Sequence, residues 1–300
     1  MTGGEVDVNE FKDSEFQGKV VAITGAGNGI GRAHAHEFAR RGAKVVVNDL
    51  GGSVDGTRTG DAADQVVKEI AEMGGTAIAN RASVSDRDGA KSIIDDALNA
   101  FGRIDILVNN AGILRDKSFR NMTLDDWDMV MQVHLNGSAY VSHAAWPHMY
   151  AQNYGRIVLT SSGSGIYGNY GQANYGAAKM GMLGLMNVLA LEGANHNLRT
   201  NTLAPGAATR MTATIPGRDI DVDDPPPESA PVLVSPAVLY MASENAPNGA
   251  VIHARGGDYY RSQIFVNEPV SLGVDATFEM LEAEAERLMD MSGAKPHEPR

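Results

Sequence analysis

The sequence predicts an α/β fold, a doubly wound parallel sheet of about seven strands with helices on both faces. Short apolar segments, such as VVAIT at 20–24, alternate along the chain with longer segments of helical periodicity. The short segments lack the polar alternation of a half-exposed strand, which indicates strands that are buried on both faces. Such strands, separated by helices, are typical of a parallel sheet that is covered on both sides.

The predicted elements follow one another in a regular order. The strands are, in chain order, VVAIT, KVVVND, TAIANRA, IDILVNNAG, RIVLTSS, RTNTLAPG and AVIHARGG. The helices lie at about 31–41, 61–73, 86–101, 124–149 and 174–192. Gly42, Gly74 and Gly102 directly follow the first three helices, and glycine closes helices because it tolerates the left-handed conformation. Gly137 and Pro147 are expected to weaken the fourth helix near its edges.

The chain is predicted to form a single domain over residues 1–300, with its core at about 17–260. The segment 212–231 is rich in proline and aspartate and has no periodicity, so it is expected to form a mobile loop. Residues from about 268 to 300 are predicted to form a C-terminal helical extension, with one amphipathic helix at about 275–289.

Composition and charge exclude several functions. The formal net charge is −12 and no basic stripe occurs, which argues against nucleic-acid binding. The chain has no cysteine, so disulfides and thiolate metal ligands are excluded, and no metal site is predicted. No apolar run reaches the roughly 18 residues that a membrane-spanning helix needs. The acidic N-terminal segment and the ending KPHEPR do not resemble targeting signals, so a cytoplasmic protein is expected.

A glycine-rich turn follows the first predicted strand and precedes the first helix. In TGAGNGIG, Gly25, Gly29 and Gly31 have the spacing GxxxGxG, and Asn28 and Ile30 lie among them. A strand, a turn of this kind and a helix start leave backbone amides free to face a pyrophosphate. The turn therefore predicts a dinucleotide site, although the spacing by itself also occurs in flexible turns.

Asp49 ends the second predicted strand, 18 residues after Gly31. An acid at this place accepts hydrogen bonds from the adenosine ribose hydroxyls and repels a 2′-phosphate. No Arg or Lys lies between Gly25 and Gly31 or directly after Asp49. These residues predict NAD rather than NADP as the cofactor.

Three tyrosines lie close together in SGIYGNYGQANYGAAK, but only Tyr175 has a lysine four residues later, Lys179. These two side chains would share one face of the last predicted helix. An ammonium beside a phenol favours the phenolate, so we expect a lowered Tyr175 pKa. Ser162 ends the fifth predicted strand, where the active sites of open α/β sheets lie, and its hydroxyl is placed to hold a substrate oxygen. Tyr167 and Tyr170 either line an apolar cleft or pack within the turn.

These motifs together resemble the short-chain dehydrogenase/reductase family. TGAGNGIG, NNAG at 109–112, Ser162, YGAAK at 175–179 and Pro205-Gly206 occur in the family's order, and the resemblance covers about residues 17–260. It implies a Rossmann-type fold, hydride transfer to or from a nicotinamide, and a homodimer or homotetramer. Further segments, such as FGRIDILVNNAGILRDKSF, resemble the (3R)-hydroxyacyl-CoA dehydrogenases of this family, a group that includes a 17β-hydroxysteroid dehydrogenase.

The resemblance also implies catalytic roles. Tyr175 would take the substrate's hydroxyl proton during oxidation, Ser162 would hold the substrate oxygen, and Lys179 would hydrogen-bond the nicotinamide ribose. The family usually has asparagine where this chain has His134, and that asparagine helps to anchor a water relay behind the lysine. His134 is therefore a catalytic candidate, and a packed helix histidine is the alternative.

The cofactor contacts that the glycine turn and the resemblance imply extend along the whole cleft. They are Gly25, Asn28, Gly29, Ile30, Gly31, Asp49, Ser83, Val84, Asn110, Gly112, Tyr175, Lys179, Pro205, Gly206, Ala207 and Thr209. Ala82 stands where the family often has an acid, which puts side-chain recognition of the adenine amino group in doubt. The segment 212–231 corresponds to the family's substrate lid.

Three functions follow from these residues, and the first two act on a small-molecule substrate. The first is NAD-dependent oxidation of a (3R)-hydroxyacyl-CoA in lipid metabolism; Arg115, Lys117 and Arg120 then either contact CoA phosphates or form an ordinary charged loop. The second is oxidation of a free steroid or another secondary alcohol. The third is a non-catalytic NAD-binding sensor, which has no need for an activated phenol. Asp49 disfavours a further alternative, an NADPH-dependent 3-oxoacyl-carrier-protein reductase.

Overall fold

Strands and helices alternate along the chain. The computed structural model of the protein describes residues 14–51, 60–213, 221–222 and 224–297. The strands are β1 (Val20–Thr24), β2 (Lys44–Asn48), β3 (Thr76–Asn80), β4 (Ile106–Asn109), β5 (Gly155–Thr160), β6 (Leu198–Gly206), β7 (Val251–Arg255), β8 (Asp258–Ser262), β9 (Phe265–Val266) and β10 (Lys295–Pro296). The helices are α1 (Gly29–Arg40), α2 (Ala62–Glu72), α3 (Arg87–Phe101), α4 (Leu124–Met131), α5 (Gly137–Gln152), α6 (Gly163–Tyr167), α7 (Ala173–Gly193), α8 (Arg210–Ala213), α9 (Ser235–Ala242), α10 (Phe278–Ala283) and α11 (Ala285–Met289).

The central sheet has the strand order β3-β2-β1-β4-β5-β6-β7-β8. All pairs from β3 to β7 are parallel, and β1 pairs with both β2 and β4. The chain therefore reverses its direction of travel across the sheet between β1 and β4, and ligands of doubly wound sheets bind at the carboxyl ends of the strands beside such a reversal. The predicted fold class is confirmed, and this edge of the sheet is the place to look for a site.

Two apolar layers cover the sheet. Phe38 of α1, Ile70 of α2 and Val238 of α9 belong to the layer on one face, while Ile93 of α3 and Met149 of α5 belong to the layer on the other. Every residue of β1, β4 and β5 is buried. The unbroken apolar runs of the sequence thus correspond to strands that are covered on both faces, as the prediction required.

The eighth strand is the main addition to the predicted sheet of about seven strands. Gly256 and Gly257, which end the last predicted strand, both have positive φ angles, 59° and 88°. Two consecutive positive φ values form the tight turn that joins antiparallel hairpin strands. The chain therefore turns back at these glycines, and β8 follows β7 at the edge of the sheet.

The predicted helix at 124–149 is divided into α4 and α5 by one π-helical turn, Gln132–Asn136. A π turn accommodates one extra residue and often occurs at functional sites. Pro147 lies inside α5, which continues to Gln152, so it does not end the helix. Gly137 begins α5 and is buried.

The structure divides into two compact units, Met1–Tyr260 and Arg261–Arg300. In the second unit β9 pairs antiparallel with β10, and α10 and α11 are separated at Glu284. The amphipathic helix predicted at about 275–289 is therefore two short helices, because Glu284 leaves the helical region at φ −99° and ψ 11°. None of the described residues of this unit is buried.

Part of the predicted lid at 212–231, namely residues 214–220 and 223, lies outside the described residues. Its final part contains a short 3₁₀ turn, Pro227–Ser229, and Ala208 N–H donates to Ser229 O over 2.8 Å. This hydrogen bond connects the backbone just after β6 to the final part of the segment. Within the described part of the chain, no helix is long and apolar enough to cross a membrane.

Candidate active site

A cleft of about 410 Å³ opens at the carboxyl ends of the central strands. Most of the predicted site residues line it, namely Gly25, Asn28, Gly29, Ile30, Gly31, Asp49, Ser83, Val84, Asn110, Gly112, His134, Ser162, Tyr175, Lys179, Pro205 and Thr209. Gly206 and Ala207 are the predicted residues that are not among its lining residues. Residues from distant parts of the sequence thus meet in one cleft.

Ser162, Tyr175 and Lys179 form the polar centre of this cleft. Ser162 caps α6, where its hydroxyl accepts a hydrogen bond from Ser164 N–H over 3.2 Å. The Tyr175 hydroxyl is hydrogen-bonded to Ser162. Lys179 lies one turn further along α7, and its Nζ donates to Thr160 O over 2.6 Å. Both α7 side chains are buried, with Nζ 5.4 Å from the centre of the Tyr175 ring.

The close approach of α6 to α7 depends on glycine. A Cβ atom at Gly165 would lie 2.8 Å from Lys179 Cβ and 2.9 Å from the Lys179 carbonyl carbon. A Cβ atom at Gly176 would lie 3.2 Å from Ser164 O. Since real Cβ contacts are longer than the Gly165 values, glycine lets the Ser162 end of α6 lie directly on the helix that carries Tyr175 and Lys179.

Burial controls the ionisation of both α7 groups. It raises the pKa of Tyr175 to about 12, against the opposing effect of the hydrogen bond from Ser162. Burial also lowers the pKa of Lys179 to about 7. The expected lowering of the Tyr175 pKa by Lys179 is therefore wrong for this structure, because loss of hydration outweighs any charge that the lysine retains.

His134 lies in the π-helical turn, fully buried beside Tyr175. Its ring meets the tyrosine ring edge to face, with centroids 5.2 Å apart and an interplanar angle of 88°. His134 Nε2 lies 2.8 Å from Ile113 O and 3.1 Å from Ile113 N. A Cβ atom at Gly112 would lie 2.3 Å from the ring, so glycine is required there. The histidine thus joins the loop after β4 to the tyrosine.

The His134 ring is neutral at physiological pH. Burial and then the charge of Lys179 hold its pKa well below the usual value. A neutral ring can donate to Ile113 O or accept from Ile113 N–H, according to its tautomer. His134 Nδ1 is buried and has no hydrogen-bond partner among the described residues. These contacts favour packing and positioning over proton transfer by the imidazole itself.

The glycine-rich turn forms a close backbone cradle at the other end of the cleft. A Cβ atom at Gly25 would lie 2.7 Å from Ala111 Cα, and one at Gly31 would lie 2.2 Å from Gly25 O. Asn110 Nδ2 donates to Thr24 O and Gly25 O, over 3.1 and 2.9 Å, and so fixes the turn to the end of β4. The glycines let other groups approach the backbone of this turn closely, and side chains at these positions would block that approach.

Asp49 is held against this turn by two backbone amides. Gly27 N–H donates to Asp49 Oδ2 over 2.8 Å, and Gly51 N–H donates to Oδ1 over 2.7 Å. A Cβ atom at Gly27 would lie 2.8 Å from the carboxylate. The carboxylate is thus fixed at the end of β2 on the wall of the cleft, as the sequence spacing predicted.

Several lining residues carry no motif and were not predicted. Ile113, Val133 and Met211 belong to the apolar cluster around Tyr175, and Met129 also lines the cleft. The other lining residues of this kind are Asn48, Leu50, Ala82 and Ser85, which lie next to Asp49, Ser83 or Val84 in the sequence. The apolar residues come from a loop, from α4 and the π turn after it, and from the start of α8, where no sequence pattern marks them. Ala82 and Ser85 directly flank the predicted pair Ser83 and Val84, and this adjacency in the sequence could have identified them.

Two sets of residues that the sequence suggested for the substrate site do not line the cleft. Arg115 and Lys117 both pair with Asp126, over 3.5 and 3.1 Å, which supports the ordinary charged loop. Tyr167 and Tyr170 are not among the residues that line the cleft, and Tyr170 is 90% exposed. Tyr167 instead stacks on His253 of β7.

The chain matches the sequence profile of the short chain dehydrogenase family over residues 19–218. It belongs to this family. The predicted resemblance is confirmed. Members of this family are oxidoreductases that use a nicotinamide cofactor. A short chain dehydrogenase from Mycobacterium avium has a similar structure, with a TM-score of 0.81 and 38% identity, over 95% of this chain and 99% of that one.

Similar short-chain dehydrogenases differ in length. A Mycobacterium tuberculosis protein named as a short-chain type dehydrogenase/reductase is 47% identical over 93% of this chain and 96% of its own. The peroxisomal multifunctional enzyme type 2 of mouse is 52% identical over 81% of this chain, but this covers only 32% of the mouse enzyme. A 3-oxoacyl-acyl-carrier-protein reductase of Thermotoga maritima is 38% identical over 81% of this chain and 98% of its own. The predicted resemblance to a narrower group within the family is also confirmed, because the chain is 52% identical to this part of the multifunctional enzyme.

Proposed function

We propose that the protein oxidises a secondary alcohol to a ketone with NAD, and that its substrate is a (3R)-hydroxyacyl-CoA, which becomes a 3-oxoacyl-CoA. The observation that carries the proposal is the meeting of Ser162, Tyr175 and Lys179 in one cleft with a glycine cradle and Asp49. A non-catalytic NAD-binding sensor would need only the glycine cradle that binds the cofactor. The buried phenol and amine add the groups that acid–base chemistry at a hydroxyl carbon requires.

The cleft fits a dinucleotide. The Gly25, Gly29 and Gly31 backbone would hold the pyrophosphate, and Ser83 and Val84 would flank the adenine. The fixed Asp49 carboxylate would accept hydrogen bonds from the ribose hydroxyls and would repel a 2′-phosphate by like charge, which supports NAD. When bound, NAD supplies the hydride acceptor of the reaction.

The side chains of this chain manage the proton. Ser162 is hydrogen-bonded to the Tyr175 hydroxyl, so it would orient the substrate oxygen toward that hydroxyl. During oxidation the phenolate form of Tyr175 accepts the hydroxyl proton, and during reduction the neutral phenol donates it. Burial lowers the pKa of Lys179 to about 7, so part of the lysine is protonated at neutral pH, and this charge would offset only part of the burial that disfavours the phenolate. His134 holds the tyrosine ring and the Ile113 backbone in place.

The acyl-CoA assignment is supported by apolar residues that line the cleft and by the relatives. Ile113, Met129, Val133 and Met211 offer flexible apolar surface of the kind that accepts an acyl chain. The sequence resembles (3R)-hydroxyacyl-CoA dehydrogenases, and the Thermotoga maritima relative is named as a reductase of 3-oxoacyl thioesters. That name supports a second candidate, an NADPH-dependent carrier-protein reductase, against which Asp49 argues.

The test is NADH formation from (3R)-hydroxyacyl-CoA thioesters of increasing chain length. We expect turnover of medium or long chains, little turnover of the matched free 3-hydroxy alcohol or a steroid, and preference for NAD over NADP. The control is Tyr175→Phe, which should lose about a hundredfold or more in kcat while NADH binding stays nearly unchanged. Equal rates for thioester and free alcohol would contradict the CoA assignment, and tight NAD binding without any turnover would favour the sensor.

We also propose that the protein is a homodimer or homotetramer in the cytoplasm. The outer face of α7 supports self-association, since it carries an exposed apolar stripe formed by Ala177, Met180, Gly184, Val188 and Leu191. The cytoplasmic location stays a prediction from the sequence, because several relatives are named as peroxisomal.

A further inference from the structure

The hairpin of β7 and β8 carries aromatic side chains that contact two separate segments beside the cleft. His253 of β7 and Tyr260 of β8 stack with ring centroids 4.3 Å apart and an interplanar angle of 7°. On its other face His253 stacks on Tyr167, the last residue of α6, at 6.0 Å and 22°. Three rings therefore connect the edge strand of the sheet to the helix that Ser162 caps.

The two-residue turn explains why these rings meet. With Gly256 and Gly257 as the turn residues, Arg255 lies opposite Asp258 and His253 lies opposite Tyr260. Directly opposite side chains on one face of an antiparallel pair are close enough for ring stacking. Burial lowers the pKa of His253, so its ring is uncharged at neutral pH and stacks as an aromatic group.

Tyr259, the neighbour of Tyr260, points to the opposite face of β8 because side chains alternate along a strand. Its hydroxyl donates to Leu233 O over 2.8 Å. Leu233 lies in the 3₁₀ turn Pro231–Val234, where the predicted lid segment ends. The same hairpin also approaches Glu228, whose carbonyl oxygen would be 3.0 Å from a Cβ atom at Gly256.

We propose that Tyr167, His253, Tyr259 and Tyr260 form a hairpin clamp, which positions α6 on one side and the end of the lid segment on the other. The clamp residues do not touch the reacting atoms and act through Ser162 and the lid end. Their role rests on the proposed function, since Ser162 at the start of α6 lines the cleft in which the substrate would bind. On its inner side α6 is already fixed by the contact of Gly165 with Lys179, so the clamp supplies the outer support.

The exposure of the clamp makes it testable without unfolding the protein. Tyr167 is 68% exposed and Tyr260 is 55% exposed, so replacing either ring removes little core packing. Surface substitutions of this kind change stability little unless they break a specific contact. Tyr260→Phe keeps the ring and serves as the matched control for Tyr260→Ala, and Tyr259→Phe removes only the hydroxyl that contacts Leu233.

Amide hydrogen exchange of the full chain measures directly how firmly the clamp holds the two segments. In α6 the amides of Gly165 and Ile166 bond to Ser162 O, and in the lid-end turn the amide of Leu233 bonds to Ala230 O. We expect Tyr260→Ala to speed exchange of the α6 amides about threefold to tenfold, in line with the loss of one aromatic pair, while Tyr260→Phe leaves it unchanged. Tyr259→Phe should speed exchange at Leu233 and leave α6 as it was.

Kinetics with the acyl-CoA substrate provide the second readout. Tyr260→Ala should raise the KM for the thioester by about threefold to tenfold, with the KM for NAD and the thermal midpoint nearly unchanged. Unchanged α6 exchange in Tyr260→Ala, or equal effects of Tyr260→Ala and Tyr260→Phe, would refute the clamp. If wild-type protein turns over no acyl-CoA, the proposed substrate is wrong, and the exchange experiment still decides whether the clamp holds α6.

Discussion

Lys179 combines two properties that conflict in a protein interior, a basic nitrogen and nearly complete burial. Burial lowers its pKa to about 7, from an ordinary value of 10.5 that applies to the unfolded chain. Between these two pH values the unfolded state binds more protons than the folded state. Stability due to this residue therefore rises with pH across the window from about 7 to about 10.5, and is constant below it.

We predict that wild-type protein gains stability relative to Lys179→Met as the pH rises. The difference in the free energy of unfolding should change by up to about 1.4 kcal/mol for each pH unit within this window. Urea unfolding of both proteins at a series of pH values from about 6 to about 9 measures it. A difference that stays flat would mean that Lys179 keeps its charge in the folded protein.

Asp49 provides the second prediction for a single residue. Asp49→Ser removes the charge that would oppose a 2′-phosphate, and it leaves a hydroxyl that can still accept from Gly27 N–H. We expect the ratio of kcat/KM for NADP to that for NAD to rise about tenfold or more. Asp61→Ser, which removes the same charge at the exposed start of α2, should leave the ratio unchanged. Equal ratios in wild type and Asp49→Ser would remove the basis for NAD preference.

Motif residues could be placed from the sequence, whereas their ionisation could not. The spacing of Tyr175 and Lys179 fixes them on one helix face, and Asp49 follows from the end of a strand. The sign of the Tyr175 pKa shift depends on how many atoms exclude water around the ring, and those atoms come from several elements. No local pattern in the sequence encodes that sum, so the expected lowering was wrong.

At the scale of elements, α6 shows how one short helix holds a functional geometry. We predict that Gly165→Ala lowers kcat by about tenfold to a hundredfold, because its methyl group would push α6 and Ser162 away from α7. Gly163→Ala is the matched control in the same helix, since the nearest atom there is 3.9 Å away. Comparison of kcat and thermal midpoint for the two variants measures the effect. Similar kcat values for both would show that α6 tolerates displacement.

The elements that sequence reasoning missed share a physical cause. The strand β8 follows two glycines whose positive φ angles turn the chain back, but in a sequence a glycine pair also marks the end of a strand and the start of a loop. The π turn Gln132–Asn136 continues the helical pattern with one extra residue, and its apolar spacing hardly differs from that of an α-helix. By contrast, the buried strands and the longer helices were predicted closely, because unbroken apolar runs and helical periodicity mark them in the sequence.

At the scale of the whole molecule, α7 has two different faces. Its inner face carries Tyr175 and Lys179, and its outer face carries the apolar stripe that includes Met180, Val188 and Leu191. Exposed apolar side chains that follow the spacing of a helix form a contiguous patch in contact with water. Such patches commonly mark surfaces at which proteins associate. A second copy of the chain would cover the stripe and at the same time support the helix that holds the site.

We therefore predict that the double variant Val188→Glu, Leu191→Glu shifts the protein toward single chains. Each of the two side chains is 52% exposed, so the charges face water in the isolated chain but would repel each other across a self-associated α7. Sedimentation velocity at micromolar protein should show a lower mass than wild type, with an unchanged circular dichroism spectrum. Tyr240→Glu, at an exposed position on α9, should keep the wild-type mass. Wild-type protein that sediments as a single chain, or a double variant of unchanged mass, would show that α7 does not form the contact.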